Sequence, residues 1–385
     1  MNFEYYCNTR IIMGAGKSKE VAQILADIIK PPSTIMLVSD PGVTKAGLVT
    51  PIQRELEQAG YKVMLFNHVS QNPRDHECLE GAEMFRQEQV ACLVAIGGGS
   101  PMDTAKAIAL LGPNGGTPED YVEGRKAYDH IAPVICIPTT AGTGSEVTRS
   151  SVITLAASHK KITLKDAKLR PTVAILDPEL TISLPKEITA ATGVDALVHA
   201  IEGYSCKVTN PISQAMGARA MTTITEYLPK AYANGEDLEA RAKMLEGSLL
   251  AGLCFGSADV AAVHCLAEAL GSLYDTPHGI ANAVFLPYVM QYNAEENKAL
   301  HAELARIMAF ADQTDSDEAA TEKLVHGLYE FTKKLGIPTL KELSYVKEDD
   351  FERIAELAEE NNSTPSNVRP ITKADYLDIL QKAYQ

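Results

Sequence analysis

Short apolar runs alternate with stretches of helical period through the first half of the chain. Ile35-Met36-Leu37-Val38 reads as a strand, and a helix follows through Gln53-Arg54-Glu55-Leu56 to Gly60. Val63-Met64-Leu65-Phe66 is the next strand, and a helix around Leu79 to Gln87 leads into Ala91-Cys92-Leu93-Val94-Ala95-Ile96. A helix over 102–111 and a strand at Val134-Ile135-Cys136-Ile137 continue the rhythm. Val152 to Leu155 and Val173 to Leu176 read as further strands, with a basic turn at Lys160-Lys161 between them. This β–α alternation predicts a parallel sheet with helices on both faces. After Asp177-Pro178-Glu179-Leu180-Thr181 the strand runs disappear, and beyond Pro185 the pattern is helical. The expected organisation is an α/β domain over 1–184 and an all-helical domain over 185–385.

Composition narrows the class. A chain of 385 residues is long for one core, so two domains are the natural expectation. The net charge of −15 argues against nucleic acid as a partner, which calls for a basic stripe. No apolar stretch approaches the ~18 residues of a membrane span. Met1-Asn2-Phe3-Glu4-Tyr5-Tyr6-Cys7 has neither a basic region nor an apolar one, so the expected location is cytoplasmic. The seven cysteines are scattered and form no Cys-x-x-Cys pair, which reads as reduced thiols.

The chemistry lies in a few polar positions within these apolar patterns. Asp195 and His199 stand at i and i+4, on one face of a helix. His264 lies in an apolar run of helical period, and His278 sits between Pro277 and Gly279, at a turn just before the next helix. One carboxylate and three imidazoles suit Fe(II) or Zn(II) and leave room for a substrate oxygen. Upstream, Gly97-Gly98-Gly99-Ser100 follows an apolar strand and precedes a helix, where backbone amides can approach a pyrophosphate. A second polar loop, Thr139 to Ser145, also follows a strand. Asp40 ends the Ile35–Ser39 strand, where a carboxylate can accept from ribose hydroxyls and repel a 2′-phosphate. Lys161 is a candidate contact to cofactor phosphate or ribose. A metal that polarises a carbonyl beside a dinucleotide that carries hydride defines an alcohol dehydrogenase.

Three strings carry a resemblance: Gly97-Gly98-Gly99-Ser100-Pro101-Met102-Asp103-Thr104-Ala105-Lys106, then Pro138-Thr139-Thr140-Ala141-Gly142-Thr143-Gly144-Ser145-Glu146-Val147-Thr148, then Asp195-Ala196-Leu197-Val198-His199-Ala200-Ile201-Glu202. With His264 and Pro277-His278-Gly279 behind them, the chain resembles the iron-containing (group III) alcohol dehydrogenase family from about residue 8 to its end. The resemblance implies a Rossmann-like N-terminal domain that holds NAD(H) and an all-α C-terminal domain that holds the metal. It implies cofactor contacts from Gly97, Gly98, Gly99, Ser100, Asp103, Thr139, Thr140, Thr143 and Ser145, beside the candidates Asp40 and Lys161. Metal ligation by Asp195, His199, His264 and His278 follows, with Fe(II) first and Zn(II) as the alternative. The implied reaction is reversible hydride transfer between NAD(H) and a short-chain primary alcohol or aldehyde, including one with a polar or anionic substituent. A homodimer or higher homo-oligomer is the corresponding assembly.

Phe255, Ser150 and Ser363 match pocket positions of the family. One position departs from it: many relatives carry a second histidine four residues after the third ligand, and this chain has Glu268. A carboxylate there can shuttle a proton, join the metal shell or pair with a base. Glycerol dehydrogenase and dehydroquinate synthase relatives share the architecture. The latter, a lyase, needs a dense basic pocket that is not visible in this sequence.

Overall fold

The computed structural model describes residues 2–385. The chain divides into two compact units. One comprises Tyr6–Thr140 and Gly144–Leu184, and the other comprises Pro185–Gln385 together with Ala141–Thr143 and the N-terminal residues through Tyr5.

The first unit is α/β. Its elements begin β1 (Arg10–Met13), α1 (Val21–Ala26), β2 (Thr34–Val38), α2 (Pro41–Lys45), α3 (Val49–Gln58), β3 (Lys62–Phe66) and α4 (Asp75–Gln87). They continue with β4 (Val90–Gly97), α5 (Gly99–Asn114), β5 (Val134–Pro138), β6 (Ser150–Thr154), β7 (Lys161–Lys165) and β8 (Val173–Leu176). Six strands form a parallel sheet in the order β1-β8-β5-β4-β2-β3. Alternate residues of each strand face opposite sides. Ile35, Leu37, Val94 and Ile135 pack with Leu25, Ile52 and Leu56 of α1 and α3. Met36, Val38, Leu93 and Cys136 pack with Met102, Ala105 and Ile108 of α5. Burial on both faces is why these strands read as unbroken apolar runs.

Two features differ from the sequence reading. β1 was not anticipated: it is four residues long, lies at the sheet edge and leaves Ile11 and Met13 exposed. Lys161 is not in a turn. It opens β7 opposite Thr154, and the chain reverses before it, with His159 in the left-handed region. Ile162 and Leu164 of β7 bury against Tyr121 and Tyr128, while Thr163 and Lys165 face out.

Beyond Pro185 the long elements of the second unit are all helices: α6 (Lys186–Ser205), α7 (Pro211–Ala233), α8 (Leu238–Phe255), α9 (Ala262–Tyr274), α10 (His278–Ala294), α11 (Lys298–Ile307), α12 (Asp317–Lys334), α13 (Phe351–Glu359) and α14 (Lys373–Tyr384). α6 is buried on nearly all sides, packed by α7, α8 and α10. A helix so enclosed has no polar stripe, so polar residues within it need partners or a function. Small residues let the helices close up: a Cβ at Gly193 would overlap Leu228, and one at Gly203 would stand 2.7 Å from Cys254 Sγ. Among the described residues no helix is long and apolar enough to cross a membrane. All seven cysteines are free thiols, six of them buried, with Cys7 half-buried.

Candidate active site

The buried polar residues of α6 have a clear destination. Asp195 and His199 project from one face of α6, His264 from the first turns of α9, and His278 from the first position of α10, directly after Pro277. One donor atom from each of the four lies within 4.8 Å of the others. The His199 and His264 rings are 4.5 Å apart, and those of His264 and His278 are 5.4 Å apart. Asn282, one turn along α10, donates to Asp195 Oδ1 at 2.6 Å and lies 3.1 Å from His278 Nε2. Close backbone approach sets α10: a Cβ at Gly279 would stand 2.6 Å from the Ala191 carbonyl oxygen of α6.

The electrostatics suit a cation. His199 is driven down to about 4 by burial, against the opposing pull of Asp195, so its ring is neutral at pH 7. Burial pushes the Asp195 carboxyl up, but the three imidazoles and the Asn282 amide outweigh it and hold it below its usual value. Burial lowers His264, and the hydrogen bond and charge of Glu202 more than offset this, so its net shift is upward. His199 Nδ1 and His264 Nε2 are buried with no hydrogen-bond partner. Orphaned buried nitrogens are costly unless something else takes their lone pairs. A divalent ion with tetrahedral or five-coordinate N/O preference fits this donor set.

Around the quartet, Phe255 stacks on His199 with ring centroids 4.2 Å apart and planes 15° apart. Glu268, one turn beyond His264, accepts from Asn361 Nδ2 at 2.7 Å. Its carboxylate is therefore held by a neutral amide rather than by the base considered from sequence. The hydroxyl of Ser363, the residue matched to a family pocket position, donates to Asp259 Oδ1 at 3.2 Å, and Ser366 donates to the same carboxylate at 2.7 Å. These bonds tie the segment before α14 to the segment before α9. Cys265 points away from the quartet and accepts from Thr364.

In the α/β unit the glycine loop is a tight junction. Gly97 ends β4 at φ +150°, where a Cβ would lie 2.6 Å from Pro101. Gly98 precedes α5, whose N-terminus carries no side-chain cap, and Gly99 and Ser100 form its first turn. The Thr140 hydroxyl is buried without a partner, and its oxygen lies 3.4 Å from where a Gly98 Cβ would stand. Free helix amides, a cradle that only glycine allows and an orphaned hydroxyl fit a pyrophosphate and ribose. Asp40 caps α2 by accepting from Val43 N with Oδ1, while Oδ2 faces Gly97, 3.2 Å from the same Cβ position. Oδ1 is thus taken up by the cap of α2, and Oδ2 is turned toward the glycine junction.

Asp103 and Ser145, expected from the sequence to contact the cofactor, are also bonded to each other and to the loop around them. Ser145 donates to Asp103 at 2.6 Å, and Val152 N donates to the other Asp103 oxygen at 3.0 Å. Fully buried Lys106 donates to Ser145 Oγ, Thr148 Oγ1 and the Ser150 carbonyl. Burial lowers the Lys106 amine, while Asp103, 3.7 Å away, pulls it back up. This network pins the loop that carries Thr139 and Thr140. Helical spacing from Asp103 to Lys106 was the available signal for it.

Glu202 and Asn282 were not singled out from the sequence. Glu202 is three residues past His199 on the same face of α6, a spacing that could have marked it. Asn282 follows His278 by four residues, and the same spacing applies.

The comparisons agree with this geometry. Residues 8–178 match the family model for iron-containing alcohol dehydrogenase, and residues 189–384 match the C-terminal model of the Fe-containing alcohol dehydrogenase family. This chain belongs to the iron-containing alcohol dehydrogenase family. It is 39% identical to the NAD-dependent methanol dehydrogenase of Bacillus methanolicus over 97% of both chains. It is 38% identical to a choline dehydrogenase of Bacillus subtilis over 91% of this chain and 88% of that one. A crystal structure of a 1,3-propanediol oxidoreductase superposes with a TM-score of 0.95 at 36% identity, each chain covered completely.

Proposed function

We infer that the protein catalyses reversible, NAD(H)-dependent hydride transfer on a short-chain primary alcohol or its aldehyde. The observation that carries this reading is the convergence of Asp195, His199, His264 and His278, with His199 Nδ1 and His264 Nε2 buried and without a hydrogen-bond partner. These four residues would hold a divalent ion, Fe(II) or Zn(II), which when bound supplies Lewis acidity toward the substrate oxygen. The chain's own residues do the rest. The Gly97–Ser100 junction receives the pyrophosphate, and Asp40 Oδ2 accepts from the ribose. Phe255 supplies an apolar wall against His199 and limits water. Three relatives named for methanol, choline and 1,3-propanediol stand at similar identity, so identity alone does not choose among small alcohols. Glu268, half-buried one turn beyond the ligand candidate His264, supports a polar substituent on the substrate.

The test is a screen of purified, Fe(II)-loaded protein with NADH against short aldehydes, unsubstituted, hydroxylated and anionic. Turnover of at least one, lost on chelation and restored by metal, is expected. Absence of NADH oxidation with every aldehyde in metal-replete protein would refute the reading.

Glu268 is proposed to carry the proton that accompanies aldehyde reduction, with Asn361 aiming its carboxylate. Glu268→Gln keeps the shape and removes the ionisable proton. The kcat–pH profile should change while metal content stays at the wild-type level. A superimposable profile would leave Glu268 as an Asn361-bound strut, and the proton would then come from water or ribose.

A further inference from the structure

We propose that Glu202 is a positioning residue that fixes His264 as an Nε2 metal donor and joins α9 to α6 at the distance the quartet needs. The proposal rests on the metal reading above. Asp195, His199 and Glu202 stand at i, i+4 and i+7, one stripe along α6. The Glu202 side chain is 1% exposed. It accepts three hydrogen bonds from the start of α9: Ala261 N at 2.8 Å, Val263 N at 2.7 Å and His264 Nδ1 at 2.6 Å. Ala261 caps α9 without a side-chain bond of its own, so Glu202 satisfies amides that the helix start leaves open.

The chemical consequence follows from donor and acceptor counting. An ionised carboxylate only accepts, so the proton of His264 must sit on Nδ1. The lone pair is then on Nε2, the buried atom that has no hydrogen-bond partner. The carboxylate also raises the ring's donor strength, as such outer partners do for ligating histidines. One side chain on α6 thus sets the tautomer, the ring orientation and the helix spacing of a ligand 62 residues away.

Glu202→Gln tests this because an amide, whichever way it turns, puts an NH2 against one of the three N–H groups that the carboxylate accepts from, and so breaks the all-acceptor arrangement that holds the start of α9 and the His264 ring. Zn(II) titration against a chromophoric chelator should show E202Q binding about 10- to 100-fold more weakly than wild type. The Co(II)-substituted forms should differ in their visible absorption, and Glu202→Asp, which remains acceptor-only, should recover part of the affinity. Equal Zn(II) affinity and identical Co(II) spectra in wild type and E202Q, with only a lower melting temperature, would overturn the proposal and leave Glu202 as a helix strut. A wild type that binds neither ion at one per chain would overturn the metal reading and this proposal with it. A further measurement needs no variant: long-range 1H–15N spectra of the Zn(II)-loaded wild type should place the His264 proton on Nδ1, and a proton on Nε2 would overturn the assignment.

Discussion

Protein in which His264 or His278 is replaced by alanine should retain little metal and turn over at most a trace of substrate. Each substitution removes one of four converging donors and leaves Asp195 buried beside fewer imidazoles. Lewis-acid stabilisation is worth several kcal/mol, so the loss in kcat/KM should be on the order of a thousandfold or more. Metal analysis of protein purified in parallel, followed by kinetics with added Fe(II) or Zn(II), measures it. His264→Ala should also free Glu202 from one of its three donors, whereas His278→Ala leaves Glu202 untouched. Metal-free variants that keep full activity would overturn the assignment of the quartet.

A second large effect concerns the cofactor. The wild type should prefer NADH to NADPH, because the Asp40 carboxylate turns Oδ2 toward the glycine junction. Asp40→Asn is the informative change. Asparagine still caps a helix, so α2 keeps its bond to Val43 N, while the charge is gone. Lost repulsion of a 2′-phosphate at a partly exposed site is worth about 1–3 kcal/mol, or roughly 5- to 150-fold in the ratio of the two cofactors. Paired kcat/KM values for NADPH and NADH would check it. A wild type that uses both equally would remove Asp40 from the discrimination.

Much of this architecture is legible in the amino-acid sequence. Strands buried on both faces announce themselves as apolar runs, which is why β2 to β5 stood out. The edge strand β1 did not, because Ile11 and Met13 are exposed and four residues give too little pattern. β7 was hidden for a different reason: its half-buried face alternates Ile162 and Leu164 with polar residues, and two lysines at its start mimic a turn. The metal quartet was visible because imidazoles are rare in apolar helices. Glu202 was not, since its meaning depends on meeting the α9 amides across 59 to 62 residues of chain. Asp103 and Ser145 lie in strings that point to cofactor contact. Only the packing of Lys106 beneath them shows that they brace the loop.

The burial of the thiols reaches beyond catalysis into how the molecule can be handled. Burial drives the thiols of Cys92 to about 12 and Cys206 to about 11, and pushes those of Cys78, Cys136, Cys254 and Cys265 upward as well. Thiolates are the reactive species, so these six are shielded from electrophiles by both chemistry and access. An aromatic disulfide reagent should therefore titrate one cysteine per native chain, Cys7, and all seven in denaturant. That contrast gives a single attachment point for a dye or surface tether near the N-terminus. It also turns the other six into a clock, each becoming reactive only when the segment that encloses it opens.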